Sequence, residues 1–160
     1  MTAGFPANMP NRLYRLERVF PSYPVYVVTL CTERRKTILA APDVHDAFLD
    51  FARRSLDYGI SPGRYVLMPD HIHVLVGFSP ESISLSRWVK SLRNSLSKAL
   101  RRTGHPSPHW QKDFFDHLIR SDQSYLEKYE YIRVNPVKAG LVERPEDWPF
   151  QGEVFLLERV

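Results

Sequence analysis

The single cysteine, Cys31, of this 160-residue chain excludes an internal disulfide and any zinc cage built on several thiolates. No run of about 18 apolar residues occurs, so no membrane-spanning helix is expected. The opening Met1-Thr2-Ala3-Gly4-Phe5-Pro6 lacks the charged start and apolar core of a secretory signal. These absences point to a cytoplasmic location and away from a membrane partner. Acidic residues are missing from the whole stretch between Ser82 and Arg102, which nevertheless carries Arg87, Lys90, Arg93, Lys98 and Arg101. No internal repeat or low-complexity linker divides the chain. Its length suits one domain, 1–160, with a core over about 24–150 and a basic lead-in over 1–22 that includes Arg12 and Arg15. The formal net charge of +4 matters less than where that charge sits.

What is present reads as alternating strands and helices. Residues 25–31 are β-branched and aromatic and predict a strand, followed by the basic loop Arg34-Arg35-Lys36. Asp43 is a candidate cap for a helix reaching about Tyr58, with Gly59 placed as its C-terminal glycine. Pro62-Gly63 predicts a turn into a second strand over 64–68. Pro69-Asp70 is a second turn, into a third strand over 71–78. A long helix follows over about 83–102. Trp88, Val89, Leu92, Leu96, Ala99 and Leu100 recur at helical spacing as its buried side, and Arg87, Lys90, Lys98 and Arg101 lie mostly opposite. A fourth strand is expected over about 114–120. A last helix is expected from a cap at Asp122 to a break at Asn135-Pro136, with an irregular tail beyond. The order β-α-β-β-α-β plus a helix is an α+β, ferredoxin-like pattern: a four-stranded antiparallel sheet with the third strand central.

His71-Ile72-His73 heads that third strand. Side chains on a strand alternate faces, so the two imidazoles point the same way. The spacing leaves two readings open: half of a metal site, or two partly buried polar residues with hydrogen-bond partners. His45, His105 and His109 have no partner spacing and read as ordinary surface histidines. On the last helix a wheel gathers Tyr125, Leu126, Tyr129 and Ile132 into an apolar stripe. It leaves Tyr131 as the one tyrosine on the polar side, with Glu127, Asn135 and Lys138. Tyr131 is accordingly either a surface residue or a functional one. Asn135 would share its face, although a residue before proline is pushed out of the helical region.

Leu67-Met68-Pro69-Asp70-His71-Ile72-His73-Val74-Leu75 resembles the His-hydrophobe-His (HUH) motif of single-strand DNA transposases with one catalytic tyrosine. The block from Tyr131 to Val142, Tyr-Ile-Arg-Val-Asn-Pro-Val-Lys-Ala-Gly-Leu-Val, is similar to the hallmark of one branch, the REP-associated tyrosine transposases. The stretch from Trp110 to Arg120 and the tail Asp147-Trp148-Pro149-Phe150 fit the same branch. One departure is Gln151, where that branch more often has serine.

The resemblance implies a single HUH-type transposase domain that cuts single-stranded DNA beside REP-like hairpins. It implies His71 and His73 as ligands of Mg²⁺ or Mn²⁺, Asn135 as the third ligand, and Tyr131 as the nucleophile that forms a 5′-phosphotyrosine link. A divalent cation suits the charged phosphodiester, and imidazole tolerates several metals. Arg12, Arg15, Arg34, Arg35, Lys36, Arg87, Lys90, Lys98, Arg101 and Lys138 are then candidate DNA contacts. Trp110 or Tyr65 is a candidate base-stacking platform or a core residue. The resemblance is compatible with a monomer or a homodimer. The competing reading is a non-catalytic nucleic-acid-binding module on the same frame, which would want exposed aromatics on the central strand.

Overall fold

The computed structural model describes residues 23–157. Arg12 and Arg15 therefore lie outside the described residues. Five strands form one antiparallel sheet in the order β4-β1-β3-β2-β5: β1 (Val25–Cys31), β2 (Ile60–Leu67), β3 (His71–Phe78), β4 (Phe115–Leu118) and β5 (Gln151–Glu153). Three α-helices accompany it: α1 (Pro42–Arg54), α2 (Leu85–Arg102) and α3 (Asp122–Lys138). The α+β arrangement is the expected one, with β3 in the middle.

The sheet gains a strand over the expectation. The tail is not irregular: Trp148 donates its indole N–H to the carbonyl of Leu67 (3.0 Å), and Leu67 N–H donates to the carbonyl of Phe150 (2.8 Å). These bonds lay β5 along β2, where Gln151 accepts a hydrogen bond from Arg64. The serine-to-glutamine departure thus falls on a residue with a defined partner.

Other boundaries also move. Ser61-Pro62-Gly63 is not a turn before β2. It lies inside β2, where the register shifts between Pro62 and Tyr65, as a bulge allows for proline in a strand. α1 starts with Pro42 at its first position after Ala41, and Asp43 sits in the first turn instead of capping. α3 is capped by Ser121, whose hydroxyl accepts from Ser124 N–H. Gly59, at φ 77°, ends the turn after α1 as expected.

Alternation along the strands builds two cores. Val28 and Leu30 of β1, Tyr65 and Leu67 of β2, and Ile72, Val74 and Val76 of β3 face α1 and α2 and are buried with Phe48, Trp88, Leu92 and Leu96. Val25, Val27, Val66, Met68 and Leu75 face the other way and meet Tyr125 and Ile132 of α3. Tyr65 is only 3% exposed and bonds His45 Nε2 through its hydroxyl (2.7 Å), so it is not a stacking platform. Nor is His109 a surface residue: it is buried between Ser97 and the carbonyl of His105.

Candidate active site

The face of β3 that bears Leu75 also bears His71 and His73. In the β1–β3 register His71 lies opposite Cys31 and His73 opposite Thr29. The two imidazole rings are 4.7 Å apart between centroids. α3 crosses this face and sets the ring of Tyr131 5.4 Å from that of His73. Two residues expected together from the strand period and one from a helix some sixty positions later thus meet in a single cluster.

The hydrogen bonds around the pair decide which nitrogens are free. His71 Nδ1 is 2.8 Å from Asp70 Oδ1. A carboxylate only accepts, so Nδ1 carries the hydrogen and Nε2 keeps its lone pair. Arg35 Nη2 lies 3.3 Å from the same Nδ1; two donors cannot bond each other, so this is proximity. The bond Arg35 does make is from Nε to Asp70 Oδ2, at 2.9 Å. His73 Nδ1 pairs with Thr29 Oγ1 at 2.8 Å. Neither Nε2 makes a hydrogen bond among the described residues. Carboxylate or hydroxyl on one ring nitrogen, with the other free, is the arrangement that orients metal-ligating histidines.

Electrostatics agree with a neutral ring at His73 and a charged support at Asp70. Burial pushes the His73 pKa down from the ordinary 6.5 to about 3, and the nearby His71, Arg35 and Lys128 push the same way. Burial alone would raise the Asp70 carboxyl, but the hydrogen bonds from His71 and Arg35 outweigh it and hold the pKa below its ordinary value. Arg35 takes a left-handed backbone conformation, φ 54°, next to Arg34 at φ 55°. Such positions are costly for non-glycine residues and concentrate at functional sites.

A metal would find two nitrogen donors here. Among the described residues no group of three or more His, Cys, Asp or Glu forms a metal cluster. A third protein ligand would therefore be another kind of oxygen donor, and an asparagine amide qualifies for a hard cation. Asn135 stays inside α3, contrary to the expected break: the helix runs on through the buried Pro136 to Lys138. Ala139 N–H bonds the Asn135 carbonyl (3.0 Å) and Leu141 N–H that of Pro136 (2.9 Å), and Gly140 at φ 75° closes the end. Burial of the proline ring overrides the local penalty. Asn135 is thereby one turn beyond Tyr131, half-buried, with no hydrogen bond from its amide to either histidine among the described residues. The two free Nε2 atoms fit a divalent cation, and Asn135, one turn beyond Tyr131, is the candidate oxygen donor.

The helix wheel needs one correction. Tyr125, Ile132 and Pro136 seat α3, while Leu126 is 46% exposed and outside the stripe. Tyr131 is also 46% exposed. It stands at the border, half against His73 and half open to a shallow depression shared with Glu127, Val134 and Lys138.

The basic candidates divide. Arg34 and Lys36 are exposed beside Arg35, while Arg35 is engaged by Asp70. Arg87, Lys90, Lys98 and Arg101 are exposed on α2, on the opposite side of the sheet from Tyr131. Lys138 is exposed at the end of α3. Trp110 is half-buried against the α2 side, its indole N–H bonding Ser97 Oγ at 3.0 Å. Three supporting residues were not singled out in the sequence: Thr29, Asp70 and Lys128. Asp70 carried a signal, its adjacency to His71. Thr29 needed the strand register and Lys128 the seating of α3.

Comparison with known proteins agrees with this frame. The REP-associated tyrosine transposase of Escherichia coli is 33% identical over 86 residues, covering 54% of this chain and 50% of that protein. A Haemophilus influenzae protein that carries a REP-associated tyrosine transposase description is 32% identical over 96 residues, 54% of each. The chain thus spans about half the length of the curated relatives it matches. A solved structure of a REP-associated tyrosine transposase bound to a REP hairpin superposes with a TM-score of 0.69 at 23% identity, over 84% of this chain and 79% of that one. At that identity the likeness speaks to the fold. No helix among the described residues is long and apolar enough to cross a membrane. The model of the family described as Transposase IS200 like matches residues 23–133, and the chain belongs to that family.

Proposed function

We propose that this protein is a metal-dependent single-strand DNA endonuclease and strand transferase that acts at hairpin DNA through a covalent tyrosine link. The observation that carries the reading is the ring cluster: Tyr131 against His73, and His73 against His71. A non-catalytic binding module has no use for a half-exposed phenol beside two imidazoles with free Nε2 atoms. Its open aromatic sheet face is also missing, because α3 covers the His71–Leu75 side.

His71 and His73 would hold Mg²⁺ or Mn²⁺ through Nε2, with Asn135 as the third ligand. The cation would neutralise the scissile phosphate and stabilise charge on its oxygens. Tyr131 Oη attacks phosphorus in line; the new O–P bond forms as the P–O3′ bond breaks. The phenol proton of Tyr131 passes through water to the 3′ oxygen, which leaves as a hydroxyl, and the DNA 5′ end stays on Tyr131 as a phosphodiester. Reversal by a different 3′-OH rejoins the strand, and because the bond energy is kept, no nucleotide cofactor is consumed. Asp70 keeps His71 in the ligating tautomer, and Arg35 holds Asp70. The substrate proposed is single-stranded DNA with REP-like hairpins, handled in the cytoplasm by a monomer or homodimer.

The test is incubation of the protein with hairpin oligonucleotides and Mn²⁺ or Mg²⁺, followed by a denaturing gel. A DNA–protein adduct is expected, lost when the metal is chelated and in His71→Ala. Hairpin binding without cutting under either metal would favour the non-catalytic module.

A further inference from the structure

The segment 109–114 lies against α2 and leaves a cleft between them of about 520 Å³, within the roughly 300–1,000 Å³ of ordinary ligand sites. We propose that this cleft is a second DNA subsite, which takes an unpaired stretch of the same strand whose hairpin is cut at Tyr131. The proposal rests on the DNA chemistry above and adds to it a location on the far side of the sheet.

One wall is α2, which presents Lys90, Arg93 and Asn94; the other presents Trp110, Lys112 and Phe114. Asp113 is the one acidic residue on the lining, against the cations of Lys90, Arg93 and Lys112. Arg93 is the anchor. Its Nη1 donates to the carbonyl of Lys112 (3.3 Å) and its Nη2 to that of Asp113 (2.9 Å), and the guanidinium lies 5.7 Å from the centre of the Phe114 ring. It forms no ion pair among the described residues, and its Nε is buried without a partner. Its hydrogen bonds go only to carbonyls and one carboxylate, Asp113, acts on it, against the three cations of the lining; that excess of positive charge around a half-buried guanidinium favours an anion in the cleft. Phosphate supplies the anion, and the half-buried Phe114 and Trp110 supply ring surface for a base. That pairing of cations with aromatics is how single strands are held without sequence readout.

The cleft also lies at the correct end of the sheet. Trp110 bridges to Thr32, Gln111 N–H donates to the Cys31 carbonyl (3.0 Å), and Glu33 N–H to that of His109 (2.9 Å). Cys31 in turn sits opposite His71. Arg34 and Lys36 are exposed just past Thr32, and Lys112 just past Gln111, so these cations stand on the two segments that the bridge joins. A strand leaving the ring cluster around this end meets cations along its way.

The test uses the Tyr131→Phe chain, so that DNA stays uncut, and anisotropy of two labelled oligonucleotides: a bare hairpin, and the same hairpin with unpaired flanks. Lys90→Ala with Lys112→Ala should weaken the flanked oligonucleotide about tenfold. It should also lower the slope of log affinity against log salt by about 1.4, at roughly 0.7 per single-strand phosphate contact. The bare hairpin should change less than twofold. Phe114→Ala should cost a further fivefold or more, on the order of one stacked base. Both lysines are exposed, so their variant carries the test even if Phe114→Ala unfolds. Unchanged affinity for the flanked oligonucleotide, or equal weakening of both, overturns the subsite. Adduct formation by the native chain is read separately, so a failed cleft and a failed active site give different results.

Discussion

A histidine ligates a metal only through a nitrogen with a free lone pair, so at the proposed site the tautomer of His71 decides whether it can bind one. Asp70 sets that tautomer by accepting from Nδ1 at 2.8 Å. Replacing Asp70 by Asn should lower Mn²⁺ affinity about 10–100-fold, the usual cost of losing such a support. Calorimetry on DNA-free protein reads this directly, and unchanged affinity would remove Asp70 from the site. His73 makes a separate prediction. Its folded-state pKa is lowered from 6.5 to about 3, so the unfolded chain takes a proton that the folded chain refuses. Stability is complete above about pH 6.5 and is lost as pH falls toward 3. The groups that oppose its protonation are His71, Arg35 and Lys128. In metal-free protein the thermal midpoint should fall between pH 7 and 4.5, and His73→Gln should flatten that fall. Equal slopes in both proteins would mean that His73 is not buried as neutral imidazole.

At the scale of elements, the seating of α3 is what brings Tyr131 to the histidines. Ile132→Ala removes a fully buried side chain from that seat and should cost about 2–5 kcal/mol in urea unfolding. Leu126→Ala, on the exposed side, should stay within about 0.5 kcal/mol. Similar costs for the two would contradict the face assignment. The same helix marks the border of what local sequence discloses. β1 and β3 are written in runs of β-branched residues at period two, and their observed bounds match the expected ones. α2 is written in its apolar spacing. The continuation of α3 through Pro136 and the pairing of β5 with β2 are not local. The first depends on burial of a proline ring, the second on Trp148 reaching the Leu67 carbonyl 81 positions away. Asn135 was the site residue most exposed to this difficulty, since its orientation turns on whether the helix stops. The shared face of His71 and His73 was legible because strand alternation alone sets both rings there. Thr29 stayed hidden because cross-strand register is a tertiary fact.

For the whole molecule, the sheet separates two surfaces. One carries His71 and His73, with α3 across it bringing Tyr131 beside them. The other carries α2 with its exposed cations and no acid. A small-molecule phosphoesterase would need neither Tyr131 nor that basic helix, whereas a DNA strand can use both. The central claim is that Tyr131 forms the covalent bond to DNA. Trypsin cuts after Lys128 and Arg133, which releases Tyr129-Glu130-Tyr131-Ile132-Arg133. That peptide holds two tyrosines, so fragment ions are needed to tell them apart. After reaction with a hairpin oligonucleotide and Mn²⁺, then nuclease digestion, mass spectrometry should find the nucleotide on Tyr131 and not on Tyr129, whose hydroxyl is bound to Glu153. A nucleotide on Tyr129, or cleavage by Tyr131→Phe at the native rate, would contradict the account.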